Sequence, residues 1–284
     1  MKSPWITIAI PSYNHAVQLL KTVQSVQKQT NSEWELCIVD DRSKDSAWHV
    51  AQMVAHQDPR IHCEKNPYHL GQPAHYRQAS LKGQAPYLLL LTVDNQLDPQ
   101  FLDRVKQHVT RHPSAALVCG HSVFRHLRGH RSVSPATPWM ETYAPGTTVA
   151  RALIRGNFYV SYSSTVFVRD ALQEVGGIPT DNALASAYEV FVRIAARRSV
   201  SFLSCAHVCQ DSNGFPRLSR YEIRRQIVNA EVMTLNRLLA DTVVRQCLSP
   251  HDVQKAWHRV RMVKWMVFFS SWIQWEWGSA KVGQ

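Results

Sequence analysis

Short apolar runs alternate with longer segments of helical period through roughly the first 120 residues, and this alternation narrows the folds open to the chain more than any other feature. Strands that follow one another through helical crossovers form a mostly parallel sheet with helices packed on it. Trp5 to Ile10 is an almost unbroken apolar run and reads as a buried first strand. Asn14 is placed to cap a helix whose stripe of Leu19, Leu20, Val23 and Val26 faces one side. Glu35 to Val39 reads as a second strand ending in Asp40-Asp41, Trp48 to His56 as a short helix and Ile61 to Glu64 as a third strand. A helix over Pro73 to Lys82 stops at Gly83. Tyr87 to Leu91 is the most apolar strand and belongs at the centre of the sheet. Asp98-Pro99 opens a helix through Phe101, Leu102, Val105 and Val109, and Ala115 to Cys119 is another strand.

The period is lost between Arg125 and Gly146, where Pro135, Pro138 and Pro145 point to a loop over the sheet, either a lid or a passive connection. Ser161 to Val168, a helix from Asp170 to Val175 ended by Gly176-Gly177, and a helix from Tyr188 to Arg198 complete a main α/β domain over residues 1–215. Residues 216–284 read as a C-terminal helical extension, with Ser219 and Glu222 spaced as a capping box and Ser249-Pro250 opening a further helix.

A chain of 284 residues with 45% hydrophobic content can bury a substantial core. It has no run of about 18 apolar residues and no signal-type start, so the expected location is the cytoplasm. The six cysteines form neither a zinc pattern nor a disulfide framework and are expected to be buried, reduced thiols. A formal charge of +11 favours anionic partners without choosing among them, and no nucleic-acid-binding module accompanies it.

Loops that follow parallel strands sit where ligands usually bind, which singles out Ile10 to Asn14, Val39 to Ser43 and Leu91 to Asn95. Asp40 and Asp41 are either helix caps or acceptors for the ring N–H of a pyrimidine base on which Tyr13 could stack. Asp94 is either a cap or the holder of a divalent cation against a diphosphate, with Arg77 helping at the phosphates. Neither a dinucleotide-binding Gly-x-Gly-x-x-Gly nor a P-loop is present.

The motifs Ile-Pro-Ser-Tyr-Asn (10–14), Ser-Val-Gln-Lys-Gln-Thr (25–30), Glu-Leu-Cys-Ile-Val-Asp-Asp-Arg-Ser (35–43), the Asn66 to Gly71 turn and Ser163 to Arg169 leading into Glu174 to Ile178 occur in one order. Together they resemble the family 2 glycosyltransferases of the GT-A fold over about residues 5 to 215. The resemblance makes Pro11, Tyr13 and Asp41 contacts of the nucleotide base, with Asp40 beside them and Arg77 near the base or phosphates. It places the family's Asp-x-Asp on Thr92-Val93-Asp94, so that the first carboxylate is absent and Asp94 remains as ligand of Mn²⁺ or Mg²⁺. The family's general base falls on Ser186-Ala187, which cannot take a proton at neutral pH, and Asp181 and Glu189 are the nearest substitutes.

The implied activity is transfer of a sugar, with inversion, from a nucleotide diphosphate donor, UDP favoured, to a glycan or lipid-linked acceptor in surface polysaccharide synthesis. The alternative is a non-catalytic relative that binds a nucleotide sugar or a partner. Near the C-terminus Trp265, Phe268, Phe269 and Trp272 share one helical face downstream of Arg259, Arg261 and Lys264. That face either packs on the domain or lies in the plane of a membrane, which would bring the protein to the inner membrane face.

Overall fold

The apolar run that opens the chain becomes an inner strand. In the computed structural model, which describes residues 3–125, 131–133, 143–156, 161–182, 185–211 and 220–262, β1 (Ile6–Ser12) is buried along its whole length. It pairs in parallel with β2 (Trp34–Asp40) on one side and β4 (Tyr87–Leu90) on the other, and β3 (Ile61–Lys65) pairs in parallel with β2. The expected central place of the Tyr87 strand is therefore observed, one pairing away from β1.

Beyond β4 the sheet changes sense. β9 (Thr165–Val168) runs antiparallel between β4 and β6 (Ala115–Arg125), and β10 (Ser199–Asp211) then pairs in parallel with β6. The short β5 (Asn95–Leu97) closes the order β3-β2-β1-β4-β9-β6-β10-β5, with β7 (Arg131–Val133) on β6 and β8 (Tyr143–Ala144) on β10. The two pieces β7 and β8 fall inside the stretch read as a loop; the rest of that stretch lies outside the described residues.

Period-two alternation divides the core between the faces of the sheet. Ile8, Ile10, Leu89 and Leu91 face α1 (Ala16–Gln27), α2 (Ala47–Gln57) and α4 (Phe101–Arg111), which contribute Leu19, Val23, Val26, Ala51, Val54, Phe101 and Val105. Ala9, Leu88, Leu90 and Phe167 face the other layer, built from α3 (Gln72–Ser80), α5 (Gly146–Arg155), α6 (Arg169–Glu174) and α7 (Ser186–Arg197). Leu235 and Leu238 of α8 (Arg220–Ala240), Val244 of α9 (Thr242–Gln246), and Ala256 and Val260 of a helix over 250–262 belong to that same cluster. The helical extension thus completes one layer of the core.

Local signals were right where the partner was local. Ser249 opens the helix over 250–262 as a box closed by an aspartate, with the Asp252 N–H donating to Ser249 Oγ at 3.2 Å and the Ser249 N–H to Asp252 Oδ2 at 2.9 Å. Asn14 does not cap α1: it sits at φ 59°, and its Oδ1 accepts the Lys44 N–H at 2.9 Å from the next strand's loop. Burial pushes the Cys37 and Cys119 thiols up to about 12, so both stay protonated, and Cys37, Cys63, Cys119 and Cys247 are free thiols. Ser219 and the aromatic segment from Trp265 to Trp275 lie outside the described residues, and among these no helix is long and apolar enough to cross a membrane.

Arg169 fastens the lower edge of the sheet, donating to the Ala85 carbonyl at 2.8 Å, the Ser80 carbonyl at 3.2 Å and Thr7 Oγ1 at 2.9 Å. At the start of α5, a Cβ on Gly146 would stand 1.8 Å from the Arg198 carbonyl oxygen and 2.1 Å from that of Ala195. Gly146→Ala must therefore force α5 away from the end of α7. A loss of about 2 kcal/mol or more in chemical denaturation is expected, and a variant as stable as the wild type would show that α5 and α7 do not meet this closely.

Candidate active site

The strand register brings three loops to one edge. Ser12 stands opposite Asp40 and Ala9 opposite Leu90, and the ladder continues past the strands through Asp41 N–H to Ser12 O at 2.8 Å and Leu91 N–H to Ala9 O at 2.9 Å. Tyr13, Asp41 and the Thr92 to Asp94 segment therefore leave the sheet side by side. The first two loops are laced together by the Asn14 N–H on Ser43 Oγ at 2.8 Å and by the Lys44 N–H on Asn14 Oδ1. Asn14, His15 and Arg42 all hold positive φ, at 59°, 64° and 65°. Three non-glycine residues in the left-handed region within one pair of loops is strain of the kind concentrated at binding sites.

Asp41 is the hub of that edge, with 1% of its surface exposed. Its Oδ1 accepts from Asn66 Nδ2 at 2.8 Å and the Leu70 N–H at 2.9 Å, and its Oδ2 from the Gly71 N–H at 3.0 Å, with His69 Nδ1 2.9 Å away. Burial alone would raise its pKa, yet the Asn66 and backbone hydrogen bonds and the nearby His75 outweigh it and hold the carboxyl below its usual range. The His69 ring lies 4.3 Å from the Tyr13 ring, tilted by 32°. Asp40, fully buried, caps the turn after β2 through the Ser43 N–H at 3.0 Å, and Lys65 Nζ is 4.0 Å from its Oδ2. Its Oδ1 and the neighbouring Ser12 Oγ find no partner among the described residues. Pro11 is buried in β1.

His75 on α3 hydrogen-bonds the Val39 carbonyl through Nε2 at 2.8 Å, and burial lowers its pKa, so a neutral ring anchors α3 to β2. Arg77 on the same helix donates Nη1 to the carbonyls of Gly176 at 2.9 Å and Ile178 at 3.0 Å, fixing the loop after α6. That leaves only part of its guanidinium for any phosphate.

On the third loop, Thr92 Oγ1 donates to Asp94 Oδ1 at 2.9 Å, and Ser163 Oγ accepts the Thr92 N–H at 3.1 Å and Asn95 Nδ2 at 2.7 Å. The Thr92 hydroxyl thus holds Asp94 in position. Burial raises the pKa of the Tyr76 hydroxyl on α3, and the Asp94 charge adds to it. The Tyr76 ring meets that of Tyr162 edge to face at 6.1 Å, and burial raises the Tyr162 pKa.

Asp181 and Glu189 both meet Arg237 of α8, a residue that no local pattern singles out. Asp181 forms a two-point ion pair with it, and that hydrogen bond, first among its influences, lowers the Asp181 pKa. Glu189, 2% exposed, lies 2.8 Å from Arg193 and 3.5 Å from Arg237. No group of three or more His, Cys, Asp or Glu gathers as a metal site among the described residues. A cleft of about 810 Å³ lined by Glu35, Cys37, His62, Cys63 and Glu64 opens at the starts of β2 and β3, away from this edge.

Asp41→Asn removes the charge that its donors are arranged around, and about 2 kcal/mol of stability should be lost at pH 7. Because the folded-state pKa of Asp41 is depressed, its contribution is present above the unfolded value near 4 and disappears as pH falls through the folded value. Urea titrations of both proteins should therefore converge as pH is lowered below about 4; a gap that persists unchanged in acid would refute the charged hub.

Comparison with known proteins follows the same outline. A family model described as glycosyl transferase family 2 matches residues 7–176. The uncharacterized protein y4gI of Sinorhizobium fredii is 30% identical over 68% of this chain and 20% of its own length. The putative colanic acid biosynthesis glycosyl transferase WcaA of Escherichia coli is 32% identical over 38% of this chain and 40% of its length. The putative teichuronic acid biosynthesis glycosyltransferase TuaG of Bacillus subtilis is 28% identical over 42% of this chain and 48% of its length. The chain thus spans from a fifth to about half of these relatives. The structure of S. aureus TarS 1-349 in complex with UDP-GlcNAc superposes with a TM-score of 0.67 at 14% identity, over 88% of this chain and 70% of that one. The mannosyltransferase PcManGT from Pyrobaculum calidifontis, in complex with GDP-Man and Mn²⁺, gives 0.60 at 13% identity, over 96% and 81%. The sheet and its flanking helices are those of the GT-A fold, and with a family model spanning residues 7–176 of 284 the chain belongs to glycosyl transferase family 2.

Proposed function

We propose that this protein transfers a sugar from a nucleotide diphosphate donor, a UDP-sugar in preference, to a glycan or lipid-linked acceptor in the making of a surface polysaccharide. The observation that carries the reading is the convergence of Tyr13, Asp41 and Asp94 on one strand-end edge. The ligands of TarS and the names of WcaA and TuaG support the donor and the setting. In this reading residues 1–215 bind the donor and carry the chemistry, and within the extension, 216–284, the described helices over 220–262 complete the helical layer behind α7.

The base packs on Tyr13 and gives a ring N–H to Asp41, while Pro11 and Asp40 shape the floor below. Arg77 acts by holding the Gly176 to Ile178 loop against α3. A divalent cation takes about six oxygen ligands; Asp94 offers a carboxylate fixed by Thr92, so the donor set fits Mn²⁺ or Mg²⁺ once the diphosphate and water complete it. Bound there, such an ion would supply the positive charge that stabilises the departing diphosphate. The acceptor hydroxyl attacks the anomeric carbon from the face opposite the leaving group, its proton passes to a carboxylate, and the configuration inverts. Asp181 or Glu189 takes that proton after release from Arg237.

A second reading, a nucleotide-sugar-binding relative without transfer activity, is favoured by one observation: the family's base position holds Ser186-Ala187, and both substitute carboxylates are ion-paired to Arg237. Nucleotide release from UDP-sugars above a no-enzyme control would exclude it.

Asp94→Ala should lower turnover about 100-fold or more and abolish the gain in UDP affinity that Mn²⁺ gives in calorimetric titration, with thermal stability unchanged. Wild-type turnover in that variant would defeat the assignment.

A further inference from the structure

His69 stands where the donor's base is expected. Its imidazole is a planar aromatic ring lying 4.3 Å from the Tyr13 ring, and its Nδ1 is 2.9 Å from Asp41 Oδ2 and 3.1 Å from the Asp41 carbonyl oxygen. A pyrimidine would make the same two contacts: a ring face on Tyr13 and a ring N–H on the Asp41 carboxylate. We infer that His69 is an internal occupant of the base position, a side chain that must swing away before the nucleotide can bind. This rests on the proposed role of Tyr13 and Asp41 as the base site.

Counting acceptors leads to the same conclusion. An ionised carboxylate has about four lone-pair positions. In Asp41 they are taken by Asn66 Nδ2, the Leu70 N–H, the Gly71 N–H and His69 Nδ1. A base N–H can join only by displacing one of these. Asn66 is 2% exposed and its own N–H is committed to the Asp40 carbonyl at 2.8 Å. The Leu70 and Gly71 amides are main chain at the entrance to α3, where Gly71 is the cap. His69 alone among the four donors is a rotatable side chain with half its surface exposed, at 50%. It leaves by turning about its own bonds, and nothing else in the hub has to move.

An occupant of this kind lowers apparent affinity by the fraction of time the site is open, and its removal restores the intrinsic value. A ring closed nine-tenths of the time weakens binding about tenfold. UMP is the apt probe, because it reports on the base end of the site without a diphosphate or a cation, and UDP serves as the second. Calorimetric titration should show His69→Ala binding both about 5 to 20 times more tightly than the wild type. His69→Phe, which keeps a ring against Tyr13 but has no N–H for Asp41, should fall between the two. Equal or weaker binding by His69→Ala, in a protein whose melting temperature is unchanged, would overturn the inference, because the ring would then be a fixed wall of the site.

A measurement without nucleotide separates this failure from failure of the donor-site reading. The side-chain nitrogen resonances of His69 should shift in the free protein on Asp41→Asn and on Tyr13→Ala, and should shift in the wild type on addition of UDP. A His69 signal that ignores both substitutions refutes the closed ring. A signal that responds to the substitutions while neither UMP nor UDP binds any variant refutes the donor-site reading and, with it, the role of the ring as a competitor.

Discussion

The buried Asp41 carboxylate is the interaction on which the arrangement of the site depends. A charge withdrawn from water is tolerated only when surrounding dipoles replace its hydration. Here the replacement comes from the Asn66 amide, two backbone N–H groups at the entrance of α3, and a histidine ring. The carboxylate belongs to the end of β2, whereas its donors belong to the turn after β3, so satisfying the charge joins two loops and sets where α3 begins. From there the positions of other groups follow. His75 pins α3 to β2, and Tyr76 on the same helix packs its ring edge to face on Tyr162.

The change of strand direction at β9 builds the other wall. Parallel strands β1, β2 and β4 all end at the same edge, which suits a ligand gripped by loops alone. An antiparallel strand between β4 and β6 instead brings its beginning to that edge, and Ser163 arrives there just before Thr165. Its hydroxyl meets Thr92 and Asn95, so the loop bearing Asp94 is braced from two sides. In the proposed donor site, Thr92 would leave one negative charge fewer beside the diphosphate, lessening both repulsion of the donor and the pull on a cation. What its hydroxyl does in the structure is hold Asp94, by donating to Oδ1 at 2.9 Å.

What the sequence disclosed was whatever depended on neighbours in the chain. The apolar runs of β1, β2 and β4 and the amphipathic stripe of α1 announce themselves because their periodicity is a local property. Ser249 capped as expected because Asp252 is three residues away. Asn14 did not, because Lys44 and Ser43, some thirty residues later, offered its amide and backbone better partners. β10 is the longest strand yet carries Ser, Cys and His in alternation, so its strand character comes from pairing with β6 and leaves little trace in hydropathy. The loop positions of Tyr13, Asp41 and Asp94 were legible from strand ends, but the partners that occupy them were not. Arg237 is 56 residues from Asp181, and nothing in the turn from Asn66 to Gly71 says that His69 will lie on Tyr13.

Arg237 ties the helical extension to the two carboxylates proposed as the base. A general base works best when its pKa lies near the working pH, and the Arg237 hydrogen bond moves Asp181 the other way. Glu189 is buried and shared between Arg193 and Arg237. Arg237 is carried by α8, whose Leu235 and Leu238 are seated in the core behind α7. The three loops of the proposed nucleotide end are positioned by the sheet, whereas the two carboxylates proposed for the acceptor end are held by Arg237 of a helix outside residues 7–176.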